Sequence, residues 1–494
     1  MKHLITSIVR AWRLSRRFSA ATPRALVAAF VLSVVALSQP LPALAQPHAW
    51  SLRECCDYAV AHSLAIKQQE NQCRQQELQL SNAKNSRLPD LSGSVGQNFS
   101  FGRGLTADNT YSNTNTSSTS FSVGTSIPLF TGFQIPNQIK LASLNLEAAT
   151  ADLEKAKNDI RMQVAQAYVQ ILYNMEIADV ARRQIAIDSA QVVRIAALVD
   201  NGKASGAQLS QQRATLAGSL LTATQADNNL ALAILTLSQL LELPSPDGFT
   251  VVKPVVSEEL KVKSEEFATA IPSATNGTAA ANSSLFTLHS SPIPTPDAIY
   301  AEALGLKPEI VAQQLRLKAS GHSIAIARAG YMPTLSLSGG LGSNYYTTSK
   351  FPSDGFSTQM KNNFSQYVGL NLNIPIFNRF NTRNSIRSAK LDQANQQLAL
   401  DNTKKTLYKE IQQVCLNAAA AQAKYESSIA AAQSSADAFT LMKAKYENGK
   451  ATITEFNEAK NATLRAESDL VQARYELIYQ HALIQFYRGR ELDL

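Results

Sequence analysis

Two carboxylates, Glu455 and Glu458, are the side chains whose type and spacing suggest a definite chemistry. They are three residues apart and follow the turn signal Asn448-Gly449, so they share one face of the helix that begins after that turn. Carboxylates that line a pore attract cations. The alternative is a solvated helix face, which is the ordinary position of such a pair.

No other pattern in the chain predicts chemistry on a bound substrate. The histidines are scattered, and the sequence contains no nucleophile elbow, zinc-binding helix, phosphate-binding loop or dinucleotide fingerprint. The cysteines, Cys55, Cys56, Cys73 and Cys415, lack the spacing of a zinc site or a redox pair. We therefore expect no enzymatic activity, no metal and no cofactor.

The amino terminus supplies most of the net charge of +8, because its first 45 residues contain six basic residues and no acidic residue. An apolar run at 25–37 is too short to span a bilayer and is followed by the cleavage signal Ala43-Leu44-Ala45. This pattern predicts a secretory signal over 1–45, of the general type, although Arg16-Arg17 also permits twin-arginine export. The remaining chain is nearly neutral, which argues against a nucleic-acid partner.

The helical patterns occur twice, at a constant offset along the chain. Apolar residues recur every seventh position from Val164 to Val199 and again from Ile411 to Tyr446. Such registers are typical of long helices packed in a coiled-coil-like array. Each ends in a turn signal, and a shorter helical pattern follows. The predicted turn residues are Asn201, Gly202 and Lys203 in the first half and Asn448, Gly449 and Lys450 in the second.

Two polar segments in each half alternate with period two, which predicts strands with one apolar and one polar face. Examples are 121–127 in the first half and 368–374 in the second. Four strands fit a membrane barrel with apolar side chains toward lipid, but they cannot close one, since small barrels need about eight strands. Several chains must then share the barrel. A soluble sheet that covers the helices is the alternative.

These patterns predict a mainly helical chain with an internal two-fold repeat. The predicted boundaries are a signal at 1–45, a first repeat at 46–243, a linker at 244–296 and a second repeat at 297–494. The repeat is most direct where Pro128 and Phe130 correspond to Pro375 and Phe377. The linker is rich in Ser, Thr and Pro, which is typical of an extended surface segment.

The chain resembles the outer-membrane efflux protein family, whose type member is TolC. The resemblance rests on the motif 446–478, which begins YENGKATITEF, and on 126–133, SIPLFTGF. It implies a homotrimer with a 12-stranded barrel in outer-membrane lipid, continued by a helical barrel into the periplasm of a Gram-negative cell. It also implies a passive exit duct of a tripartite efflux pump or type I secretion system, docked to a periplasmic adaptor and an inner-membrane pump.

The resemblance also assigns roles at the hairpin tips. It implies that the tips form the periplasmic entrance and that Glu455 and Glu458 ring its narrowest point, with Tyr446 at the gate tyrosine position. For Tyr446, packing in the helical seam is the alternative. The family's gate arginine falls on Ala451 and an expected acidic partner on Gln208. The tip lysines Lys203 and Lys450 contact the adaptor or are solvated.

A soluble periplasmic coiled-coil adaptor is the alternative function. Adaptors resemble this chain in their helical hairpins, but they have one hairpin rather than two and lack pairs of strands with little charge. The exported substrate, whether a drug, a metal or a protein, is set by the partner pump.

Overall fold

A computed structural model describes residues 49–105, 109–113, 115–246, 248–253, 294–349, 352–490 and 492. They form a large unit, Trp50–Asp247 with Val251–Leu494, and a small unit in which Ala49 and Gly248–Thr250 are described. The secretory signal predicted at 1–45 and most of the predicted linker, 254–293, lie outside the described residues.

The large unit is mostly helical. Its described helices are α1 (Leu52–His62), α2 (Leu64–Asn85), α3 (Gln134–Asp200), α4 (Gly206–Leu240), α5 (Pro296–Leu306), α6 (Pro308–Ala329), α7 (Phe356–Asn362), α8 (Asn381–Glu447) and α9 (Ile453–Tyr487). Helices α3 and α8 each contain 67 residues and extend about 100 Å, and α4 and α9 each contain 35. The long helices, tight turns and shorter return helices that the heptad pattern predicts are therefore confirmed. None of the helices described here combines the length and the apolar character needed to cross a membrane.

The long helices form two hairpins, because α3 packs along α4 and α8 packs along α9. Alanine allows the close approach within the first hairpin: Ala178 and Ala181 of α3 pack on Ala223 and Ala226 of α4, and all four are buried. Helix α3 also contacts α2, α6 and α9, so it has neighbours on several sides. Small side chains on more than one face allow this arrangement.

A helical pattern also precedes each pair of strands in the sequence, at 51–87 and at 297–331, and each of these two patterns is interrupted in the structure. Ser63 separates α1 from α2 and has an extended backbone, with φ −54° and ψ 129°. Lys307 separates α5 from α6 in a similar conformation, with φ −75° and ψ 123°. The second interruption has a clear cause, since the ring of Pro308 disfavours the helical conformation for the residue before it.

The described strands are β1 (Ala49–Trp50), β2 (Asp90–Ser100), β3 (Arg103–Leu105), β4 (Tyr111–Asn113), β5 (Thr116–Thr131), β6 (Thr250–Val251), β7 (Thr334–Thr348) and β8 (Ser365–Asn373). The four predicted strands form one antiparallel sheet in the order β2-β5-β7-β8. The polar connections contain more structure than the sequence predicts. A β3–β4 hairpin joins β2 to β5, and helix α7 precedes β8.

The chain turns from sheet to long helix in the same way at both junctions. Gly132 and Phe133 have φ of 61° and 65° before α3, and Arg379 and Phe380 have φ of 54° and 61° before α8. Phe133 packs edge-on against Phe130, with ring centroids 5.4 Å apart. The corresponding pair at the second junction, which includes Phe380, is 5.5 Å apart.

Candidate pore entrance at the helical hairpin tips

The first hairpin reverses through a turn that requires a left-handed residue. Gly202 has φ 69°, which glycine adopts without a steric penalty. Its N–H donates to the carbonyl of Val199 at 2.9 Å, and the N–H of Lys203 donates to Leu198 at 2.8 Å. The amide of Asn201 donates to Ala197 at 2.6 Å. The last carbonyls of α3 are thus paired by the turn itself.

The second hairpin repeats this turn. Gly449 has φ 72°, and its N–H donates to the carbonyl of Tyr446 at 3.0 Å. The N–H of Lys450 donates to the carbonyl of Lys445 at 2.8 Å. The side-chain amide of Asn448 donates to the carbonyl four residues earlier, at 2.8 Å, as the amide of the corresponding asparagine does in the first hairpin. The structure therefore places all six predicted tip residues in the two turns, where they are exposed.

Both return helices begin with a capping box. In α4 the hydroxyl of Ser205 accepts from the N–H of Gln208 at 3.3 Å, and the amide oxygen of Gln208 accepts from the N–H of Ser205 at 3.2 Å. In α9 the carboxylate of Glu455 accepts from the N–H of Thr452 at 2.7 Å and from its hydroxyl at 2.9 Å. Gln208 and Glu455 thus occupy the same position in the capping box, because either side chain can accept the hydrogen bond from the backbone N–H of the capping residue.

The two carboxylates singled out by the sequence lie exposed at the start of α9, and only Glu455 takes part in the capping box. The bonds from the backbone N–H and hydroxyl of Thr452 lower the pKa of Glu455 below its ordinary value of 4.5, because they favour the charged form. Glu455 therefore carries its charge at neutral pH while its orientation is fixed by the cap. Glu458 is one helical turn further along the same helix.

Thr452→Ala is expected to destabilise the chain by about 1 kcal/mol at neutral pH, because it removes the hydroxyl of the cap. A depressed folded-state pKa means that the contribution of Glu455 is present above its ordinary pKa and is lost as the pH falls through the folded value. The difference between wild type and Thr452→Ala should therefore shrink in acid, as measured by denaturant unfolding across pH. Thr452→Ser is the matched control, and a difference independent of pH would contradict the role of Glu455.

Tyr446 lies between the two hairpins. Its ring is tilted against Phe456, with centroids 5.0 Å apart, and Phe456 is almost fully buried. The guanidinium of Arg194, from α3 of the first hairpin, lies 5.3 Å from the centre of the Tyr446 ring and 3.7 Å from the carboxylate of Glu447. Burial raises the pKa of Tyr446. Tyr446 therefore combines seam packing with a contact between hairpins.

Arg194 is a residue that sequence reasoning missed. The family pattern places an arginine after the second turn, where this chain has Ala451. Here the guanidinium of Arg194 reaches Tyr446 from the first hairpin and lies over its ring as a cation over an aromatic face. Nothing in the local sequence around Arg194 distinguishes it from other exposed cations of α3.

Behind the tips, a buried charge pair joins the hairpins. The Nζ of Lys460 in α9 lies 2.5 Å from the carboxylate of Asp188 in α3, and the two side chains are 2% and 0% exposed. The carboxylate also accepts from Gln184 at 2.9 Å, from Gln212 at 3.4 Å and from Ser219 at 2.5 Å. Asp188 lies three positions after Ile185 of the apolar register, where a charged residue is uncommon. That departure is the sequence signal that could have identified the cluster.

Metal binding and thiol reactivity can be judged for the part of the chain that the structure describes. Among the residues that it describes, no group of three or more His, Cys, Asp or Glu side chains could hold a metal ion. The four cysteines are free thiols. Burial raises the pKa of Cys55 to about 12 and that of Cys56 to about 11, so neither is a reactive thiolate at neutral pH.

Comparison with known proteins identifies the family that the sequence motifs resemble. The model of the family "Outer membrane efflux protein" matches residues 56–242 and 299–488. Outer membrane efflux protein BepC of Brucella suis biovar 1 (strain 1330) is 23% identical over 404 residues, which cover 80% of this chain and 76% of BepC.

Two solved structures share the fold. The outer membrane protein VceC from Vibrio cholerae superposes with a TM-score of 0.68 at 17% identity, over 90% of this chain and 97% of VceC. The CmeC outer membrane channel of Campylobacter jejuni gives 0.67 at 19% identity, over 90% and 87% of the two chains. Because the family match covers most of its length, this chain belongs to the outer membrane efflux protein family and is a transport conduit of the outer membrane, not an enzyme.

Proposed function

We propose that this chain is one third of a trimeric outer-membrane channel, the exit duct of a tripartite efflux pump or type I secretion system. The observation that carries the proposal is the open sheet. Strands β2 and β8 are its two edges, and no other strand among the described residues pairs with either edge. Three copies joined edge to edge supply the 12 strands of a closed barrel.

The exposed faces of the sheet support a barrel in lipid. Large apolar side chains on the edge strands are highly exposed in the single chain, at 79% for Leu91, 83% for Val368 and 68% for Leu370. Patches of this kind mark a surface that another apolar phase covers. In the proposed trimer, outer-membrane lipid covers them.

The proposed organisation of the chain keeps the boundaries that the sequence suggests. It comprises a signal at 1–45, repeats at 46–243 and 297–494 and a connecting segment at 244–296. The matched helix lengths, turns and capping boxes of the two hairpins support the two-fold repeat. The alternative, a soluble periplasmic adaptor, is disfavoured because the family match spans both repeats.

The proposed entrance is formed by the hairpin tips, which a periplasmic adaptor and an inner-membrane pump open. Lys203 and Lys450 are exposed at the turns, where they can reach the adaptor. Glu455 and Glu458 then meet their copies around the axis and form a ring of carboxylates. Tyr446 holds the second tip against the first through its contact with Arg194.

The entrance is tested by Glu455→Gln combined with Glu458→Gln. Block of single-channel current by a multivalent cation such as hexaamminecobalt is expected to weaken about tenfold, since the carboxylates attract it. The variant should fold normally, because Gln208 shows that glutamine completes the same capping box. Conductance in planar bilayers with the cation on the periplasmic side measures the effect.

Glu467→Gln combined with Glu476→Gln is the matched control, since it removes the same charge from α9 away from the tip. Unchanged block in the first variant would remove Glu455 and Glu458 from the pore. The channel itself is tested by light scattering in mild detergent. A monomer without conductance is the result that would overturn the proposed trimer.

A further inference from the structure

A buried ion pair joins the two hairpins a short distance behind their tips. Asp188 lies about 18 Å from the end of α3, and Lys460 lies about 10 Å from the start of α9. The contact connects the first hairpin to the return helix of the second. It therefore sits between the tips and the rest of the helical array.

The Asp188–Lys460 pair differs from the contacts at the tips themselves. Asp188 is fully buried and accepts from Lys460 and from three neutral donors, so its charge is well satisfied. In the single protomer, Arg194 and Glu447 are 37% and 46% exposed at a separation of 3.7 Å. Separating the tip pair returns both charges to water, whereas separating Asp188 from Lys460 leaves a charge stranded inside the protein. The tip contacts are therefore the weaker set.

One further contact reinforces the Asp188–Lys460 cluster. Asn457 of α9 donates to the oxygen of Gln212 at 3.5 Å, and Gln212 is fully buried. Gln212 belongs to α4, so the cluster ties together both helices of the first hairpin and the return helix of the second. A network in which several helices share one buried carboxylate fixes their relative position more strongly than one pair does.

We propose that the Asp188–Lys460 cluster is a fixed joint, and that opening of the entrance moves the segments between this joint and the tips, 189–211 and 447–456. The inference rests on the proposed function, in which the tips form the entrance. Asp188 and Lys460 are then positioning residues: they hold α9 on the first hairpin while the contacts of Arg194 and Tyr446 separate. The length of the movable tip is set by where this pair lies.

Spin-label distances within one protomer test the joint. One label pair, Lys203→Cys with Lys450→Cys, reports on the tips, and a second, Ala186→Cys with Arg465→Cys, reports on exposed positions behind the joint. Trimers diluted with unlabelled protein isolate the distance within a protomer, and protein without added cysteines gives the background of the native thiols. Arg194→Ala with Glu447→Ala removes the tip contacts.

Removing the tip contacts should raise conductance and lengthen the tip distance by about 5 Å, the scale of one helical turn, and leave the rear distance unchanged. Adding Asp188→Leu with Lys460→Met, an apolar replacement that such sites tolerate, should allow the rear distance to lengthen too. A loss of stability alone would leave that rear distance unchanged.

A rear distance that lengthens with the joint intact would show that the hinge lies elsewhere. A rear distance that stays fixed after the apolar replacement would also overturn the joint. If removing the tip contacts changes neither conductance nor the tip distance, the proposed entrance fails, and this inference fails with it. Conductance thus distinguishes a failure of the proposed entrance from a failure of the joint alone.

Discussion

Lys460→Met is expected to lower the free energy of unfolding by about 3–5 kcal/mol, the usual cost of leaving one partner of a buried ion pair without the other. The substitution keeps an unbranched apolar side chain, one atom shorter than lysine, but removes the cation 2.5 Å from Asp188. Gln184, Gln212 and Ser219 still donate to the carboxylate, but neutral donors do not balance its charge. Denaturant unfolding in detergent at one fixed protein concentration measures the loss.

Lys424→Met is the matched control, because Lys424 pairs with Glu476 at 2.8 Å and both side chains are 42% exposed. The same chemical change should there cost no more than about 1 kcal/mol. Adding Asp188→Asn to Lys460→Met should recover part of the loss, since it removes the stranded charge. Equal losses in Lys460→Met and Lys424→Met would contradict the burial argument.

The helical part of the fold could be predicted because its signal is local and repeated. An apolar residue every seven positions, with no Pro or Gly between 137 and 201, permits little other than a long helix, and Asn201-Gly202 marks where it ends. The break before Pro308 is also a local effect, yet the continuous periodicity on either side concealed it. The regular elements follow from periodicity, whereas their interruptions depend on single residues.

The contacts of the candidate site could not be predicted in the same way. Arg194 meets Tyr446, and Asp188 meets Lys460, only because two distant hairpins pack together. Gln208 shows the limit of reasoning from a family pattern. It departs from the acidic residue expected there, but the structure shows that glutamine completes the same kind of capping box as Glu455 does in the second hairpin.

Helix α7 was missed for another reason. Its seven residues lie in a segment rich in polar side chains, which favours a loop. The helix is held by a tertiary contact: the amide of buried Gln359 exchanges two hydrogen bonds with the backbone of Tyr346, at 2.9 and 3.0 Å. A short element that depends on a partner in β7 leaves no periodic signal in its own sequence.

Gly132→Ala is expected to destabilise the protein by about 3 kcal/mol, from two effects that act together. At φ 61°, an L side chain costs about 1–2 kcal/mol in backbone strain. A Cβ there would also lie 2.5 Å from the Cβ of Met332 and 3.0 Å from the carbonyl oxygen of Ala329. Neither atom is the free end of a side chain, so the backbone must shift, and overpacking of this kind costs about 1–3 kcal/mol.

Gly202→Ala separates the two effects. Gly202 has φ 69°, but a Cβ built there meets no atom within 4 Å, so the variant carries the strain without the clash. It should cost about 1 kcal/mol, and the difference between the two variants in denaturant unfolding measures the close approach of β5 to the turn before β7. Because Arg379 adopts the corresponding conformation at the second junction, left-handed backbone alone is tolerated there. Equal losses in the two variants would show that space around Gly132 is not limiting.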